Sequence, residues 1–102
     1  MKNINPNRPK SVDGSTYQAS TECGNAYITI NKHEGKIMEV FIRLGKSGGC
    51  PSAQNECIGR LTTLAFKLGA SIEQVIEQLQ GIQCRTSRSC GSALANVLSN
   101  LG

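Results

Sequence analysis

Between Thr16 and Leu44 the chain is built from three short runs rich in β-branched and aromatic residues, separated by turn-forming clusters. Thr16-Tyr17-Gln18-Ala19-Ser20-Thr21 has the content of a strand, and Cys23-Gly24-Asn25 after it supplies turn chemistry. Ala26-Tyr27-Ile28-Thr29-Ile30-Asn31 reads as a second strand, His33-Glu34-Gly35-Lys36 as a turn, and Ile37 to Leu44 as a third strand. From Cys50 the period changes. Ala53, Cys57, Leu61, Leu64, Ala65 and Leu68 recur every three or four residues and predict a helix that buries this face and stops at Gly69. Ser71-Ile72-Glu73-Gln74 has the cap and early acid of a second helix start, with Ile72, Val75, Ile76 and Leu79 as its apolar side before Gly81. Ile82 to Ser89 reads as a loop, and a last helix runs from about Cys90 to Leu101 with Leu94, Val97, Leu98 and Leu101 inward. Strands followed by helices predict an α+β fold, a three-stranded antiparallel sheet covered on one face by about three helices.

At 102 residues the chain is sized for one domain. Residues 1–11, rich in Asn, Pro, Lys and Arg, read as a disordered basic tail, and residues 12–102 as the single domain. Hydrophobic residues make up 38%, and Tyr17, Tyr27, Phe41 and Phe66 are the only aromatics, so the core is thin. Small domains with such cores often draw stability from a metal, from disulfides or from self-association. The net charge of +4 favours anionic partners. No apolar run approaches the length of a membrane span and the first residues lack a signal-peptide core, so the expected location is cytoplasmic. In a reducing compartment, five cysteines read as metal ligands or free thiols.

One segment has the form of an anion site. Arg43-Leu44-Gly45-Lys46-Ser47-Gly48-Gly49-Cys50 leads from a predicted strand through glycines into a helix start. Such a turn lets backbone N–H groups converge at the positive end of a helix, with Arg43 and Lys46 adding full charges. The spacing of a Walker loop is absent. Arg60, and Arg85 and Arg88 in the late loop, are candidates to complete a phosphate pocket together with Ser47, Gly48 and Gly49. The competing reading is a tight strand-to-helix turn surrounded by solvated basic side chains.

Several segments together resemble the TSCPD domain, which closes adenosylcobalamin-dependent ribonucleotide reductases and also occurs alone in short proteins. They are Thr16-Tyr17, Cys23-Gly24-Asn25, Tyr27 to Asn31, Glu39 to Cys50, Ile58-Gly59-Arg60-Leu61, Gly81-Ile82-Gln83-Cys84 and Ser89-Cys90. The family's Ser-Cys-Pro-Asp-Ala signature is here Ser89-Cys90-Gly91-Ser92-Ala93. The resemblance implies that Cys23, Cys50, Cys84 and Cys90 stand at cysteine positions of the family, whereas Cys57 stands where a small apolar residue is usual. Four thiolates would suit a closed structural zinc site, although no pair has the spacing of a zinc knuckle. Two other readings stay open: buried cysteines serving as small hydrophobes, applied here to Cys57, and a Cys84/Cys90 redox pair.

Reductase chemistry needs a cofactor-binding barrel that a chain of this length cannot hold, and the lone His33 sits in a predicted turn, so no catalysis is expected. The leading expectation is a non-catalytic, homo-oligomeric binding module for a phosphate-bearing small molecule. A nucleotide or cyclic nucleotide signal would be sequestered, or held as an accessory to a ribonucleotide reductase. One alternative is a zinc-stabilised domain binding nucleic acid through Lys36, Arg43, Lys46, Arg60, Lys67, Arg85 and Arg88, against which stands the lack of an aromatic stacking platform. The other is a redox accessory working through Cys84 and Cys90. Self-association is expected through the apolar sides of Ile72 to Leu79 and Leu94 to Leu101.

Overall fold

A computed structural model describes residues 9–22, 24–45, 49–84 and 87–101, apart from the side chains of Cys50 and Ser87. Three strands, β1 (Asp13–Thr21), β2 (Gly24–His33) and β3 (Lys36–Leu44), form an antiparallel sheet in the order β1-β2-β3. The β2–β3 turn places Glu34 at φ 54° and Gly35 at φ 79°. Positive φ at both central residues is the two-residue hairpin geometry whose twist matches the flanking strands. A register irregularity at Asn31/Lys32 interrupts the β2–β3 ladder next to this turn.

Alternation divides the sheet into two faces. Ala19 of β1, Ala26, Ile28 and Ile30 of β2, and Val40, Ile42 and Leu44 of β3 are buried together. The helices α1 (Gly49–Lys67), α2 (Ile72–Leu79) and α3 (Cys90–Ser99) complete the α+β arrangement. Ala93, Leu94, Val97 and Leu98 of α3 join the sheet's buried face, and Val75 of α2 closes the same core. The expected apolar sides of α2 and α3 are therefore spent on each other and on the sheet, leaving little of them for self-association.

Helix starts and stops follow local chemistry. Ser71 and Gln74 form a reciprocal capping box on α2, at 3.1 and 2.9 Å. The Ser89 side chain accepts from the Ser92 amide to begin α3. At the end of α1, Ala70 N–H bonds to Ala65 C=O and Gly69 N–H to Phe66 C=O, with Gly69 at φ 98°. This is a Schellman stop, which needs a residue free to enter the left-handed region.

Two expectations need correction. The Ile82–Ser89 segment contains a small hairpin, β4 (Gln83–Cys84) paired with β5 (Ser87–Arg88), too short to leave a period in the sequence. The second concerns α1, which exists as predicted but buries a different face. Asn55, Gly59 and Thr62 are its buried residues, while Ala53, Cys57, Leu61, Leu64 and Leu68 are exposed. Cys57 is thus an exposed thiol and no core hydrophobe. The cause is what the helix packs on. α1 lies along the outer edge of β3, against backbone, and backbone calls for small and hydroxyl-bearing residues. A Cβ on Gly59 would stand 3.1 Å from the Val40 carbonyl oxygen. The Thr63 hydroxyl accepts from Val40 N–H at 3.0 Å and donates to Val40 C=O at 3.2 Å. An edge covered in this way is closed to further strand pairing.

Candidate functional site

The sheet's second face is uncovered by any helix core. Its rows follow from register: Gln18, Tyr27 and Arg43 stand side by side across β1, β2 and β3, with Thr16, Thr29 and Phe41 in the next row. Phe41 is 50% exposed, a large apolar side chain left in water in the middle of a polar face. Tyr27 and Phe41 are diagonal neighbours across β2 and β3, close enough for aromatic side chains to act together. In the first row Arg43 faces Tyr27 directly. Further along, Asn31 Nδ2 donates to Glu39 Oε1 at 3.0 Å, and the Thr16 and Thr29 hydroxyls share a hydrogen bond of 2.8 Å. The face therefore combines two aromatics, a guanidinium and fixed polar groups.

Tyr27 is held from the side by the chain leaving β3. Gly45 N–H donates to Asn25 C=O at 2.9 Å, and a Cβ on Gly45 would lie 3.3 Å from the Tyr27 ring. Glycine here allows backbone to approach the aromatic. The glycine-rich turn follows at once: Lys46, Ser47 and Gly48 lie outside the described residues, and Gly49 opens α1.

Arg60 is placed by helix geometry. With Asn55, Gly59 and Thr62 toward β3, about 100° per residue puts Ile58 and Ala65 on one flank and Thr63, Arg60 and Lys67 on the other. Ile58 and Ala65 pack on the core, so the flank of Arg60 borders the open face. There Arg60 pairs with Glu56 one turn away. Arg88 is exposed on β5, whose carbonyl accepts from Glu22 N–H at 3.1 Å at the far end of β1. Arg43 and Arg88 thus stand at the same end of the sheet, beside β3 and β1 respectively. Arg85 lies outside the described residues.

The cysteine-bearing elements gather at that end too. Cys90 begins α3 with its Sγ 4.0 Å from Thr21 Oγ1, and Cys84 lies in the hairpin docked beside Glu22; both residues are half-buried. Cys23 and the Cys50 side chain lie outside the described residues, although Glu22, Gly24 and the start of α1 frame the same end. Soft thiol donors suit zinc, but among the described residues no three potential ligands come together. Cys84 and Cys90 are two of the four thiols that a closed site takes.

Asn55 escaped the sequence reading entirely. It is only 2% exposed, and its Nδ2 has no hydrogen-bond partner among the described residues. An orphaned buried donor is uncommon and calls for an explanation such as a water, ion or ligand acceptor. It lies six residues into α1, roughly 9 Å from the helix start at 1.5 Å per residue.

The model of the TSCPD domain family matches residues 2–101, nearly the whole chain. The chain belongs to the TSCPD domain family. No curated protein and no solved structure matches it. Among the described residues of this TSCPD domain, no helix is long and apolar enough to cross a membrane.

Proposed function

We propose that this TSCPD domain is a non-catalytic binding module for a phosphate-bearing small molecule, a nucleotide or cyclic nucleotide, held on the open face of the sheet. The observation that carries the reading is the juxtaposition of Tyr27, Phe41 and Arg43 at the end of β3 that runs into the glycine-rich turn. A nucleobase has a π-face that stacks on aromatics irrespective of sequence, and a phosphate is matched by a guanidinium and by N–H groups at a helix start. Arg88 at the same end of the sheet adds a cationic group near it, and Arg60, paired with Glu56, lies on the bordering flank.

Isothermal titration of the full chain with mononucleotides, cyclic nucleotides and inorganic phosphate tests the reading. Saturable binding of a nucleotide, lost in Arg43→Ala and leaving the ligand chemically unchanged, supports it. Heat-silent titrations across the whole panel sink it.

The meeting of the Cys84 and Cys90 elements with Thr21 and Glu22 at the end of β1 supports a second reading of the same sheet end, a zinc-stabilised domain. Metal analysis of freshly purified protein decides it. One equivalent of zinc, lost in Cys90→Ser, is its requirement, and metal-free protein of unchanged stability rules it out.

A further inference from the structure

The exposed stripe on α1 has a regular spacing that the nucleotide reading does not use. Cys57, Leu61, Leu64 and Leu68 follow one another at intervals of four, three and four. This is the seam of a helix built to pack against another helix. Leu61 is 66% exposed, Leu64 41% and Leu68 79%. No core of this chain covers them, because α1 uses its opposite side to close the β3 edge.

Beside the stripe runs a groove of about 440 Å³ between α1 and α2, lined mainly by apolar atoms from Leu61, Ala65, Ala70, Val75 and Leu79. Ridge and groove therefore lie side by side on one surface. The charges are ordered in the same direction. Lys67 lies on the flank of α1 beyond the stripe, where Arg60 is already paired with Glu56, while α2, on the other side of the groove, carries Glu73 and Glu77 and no basic residue. Across the patch the order is Lys67, the leucine ridge, the groove, and the acidic side of α2, whose Glu77 reaches the groove wall.

We propose that this patch is the interface of a homodimer, its occupant a second copy of the same chain. A twofold axis through the middle of the patch turns left into right. It lays the leucine ridge of each copy into the groove of the other, and Lys67 against the partner copy's Glu73 and Glu77. A closed pair of this kind demands a self-complementary surface in both shape and charge, and this patch has both. Its extent is set by the stripe: Cys57 to Leu68 spans ~17 Å of helix, and two adjacent helices give a width of ~20 Å. That footprint is smaller than the roughly 800 Å² per partner of standard interfaces, as suits a pair that dissociates on dilution. The open face of the sheet stays free in such a dimer, so each copy keeps its own candidate ligand site.

Sedimentation velocity of the full chain over a hundredfold concentration range tests the proposal. The expected result is a species of twice the 10.9 kDa chain mass that dissociates on dilution. Leu61→Lys with Leu64→Lys is expected to give monomer at every concentration, with an unchanged circular dichroism spectrum because both positions are exposed. Glu73→Lys with Glu77→Lys is expected to weaken association at least tenfold, and adding Lys67→Glu to restore part of it. Maleimide labelling adds a readout at single-residue level: Cys57 is expected to be protected in the dimer and to react rapidly in the double-lysine monomer. A wild-type chain that is monomeric throughout overturns the proposal, and so does a dimer that the double-lysine variant leaves intact. A stripe that takes a different protein partner would give the first of these results.

Discussion

Thr63 and Val40 are joined by two hydrogen bonds, one in each direction, between a helix hydroxyl and the backbone of an edge strand. A single side chain thereby satisfies both polar groups that the outer edge of β3 would otherwise leave to water or to another strand. Thr63→Val keeps the shape and removes both bonds. We expect a loss of about 1–3 kcal/mol in urea unfolding, the cost of stranding a buried donor and acceptor. Thr63→Ser should recover most of it. Equal stability of the Val and Ser variants would show that the edge is held by packing alone.

Asn55 keeps an amide nitrogen in a buried position with no partner among the described residues, an arrangement that costs stability. Asn55→Leu, close in volume and apolar, is expected to leave the free protein as stable as wild type or more so by about 1 kcal/mol. Ligand affinity is expected to fall. Stability and binding moving in opposite directions is the signature of a group retained for function. A marked loss of stability in Asn55→Leu would instead make the amide a structural element.

The strands, the three helices and the cap at Ser71 were legible because each rests on local chemistry. The face of α1 was not. A periodic apolar stripe says that a helix will bury that side against something, and it does not say whether the partner lies in the same chain. Here the chain uses Gly59 and Thr63 against the strand edge, a contact with no apolar period to read, and leaves Leu61, Leu64 and Leu68 outward. The open face was half legible. Arg43 was a candidate from its place before the glycines. Tyr27 and Phe41 counted only as two of four scarce aromatics, because their meeting depends on the β2–β3 register, which pairs Tyr27 with Arg43 and Thr29 with Phe41. The lack of a stacking platform inferred from composition is therefore corrected by register: half of the aromatics share one uncovered face.

Phe41 supplies the sharpest separation between fold and binding. It is half exposed and outside the core, so Phe41→Ala should alter the unfolding midpoint little. If a base stacks there, the substitution removes about 1–3 kcal/mol of binding free energy, a roughly 5- to 150-fold rise in Kd. Inorganic phosphate, which has nothing to stack, should bind the variant as it binds wild type. Equal losses for nucleotide and phosphate would place the base elsewhere.

The most direct test of the central claim is a titration of isotope-labelled protein with a mononucleotide, followed by amide and side-chain resonances. The account predicts saturable, stoichiometric shifts concentrated at Tyr27, Phe41, Arg43 and Gly45, with the α2–α3 core unmoved and the nucleotide unaltered at the end. Absence of shifts at millimolar mononucleotide and cyclic nucleotide, or shifts confined to the α1–α2 groove, would contradict it.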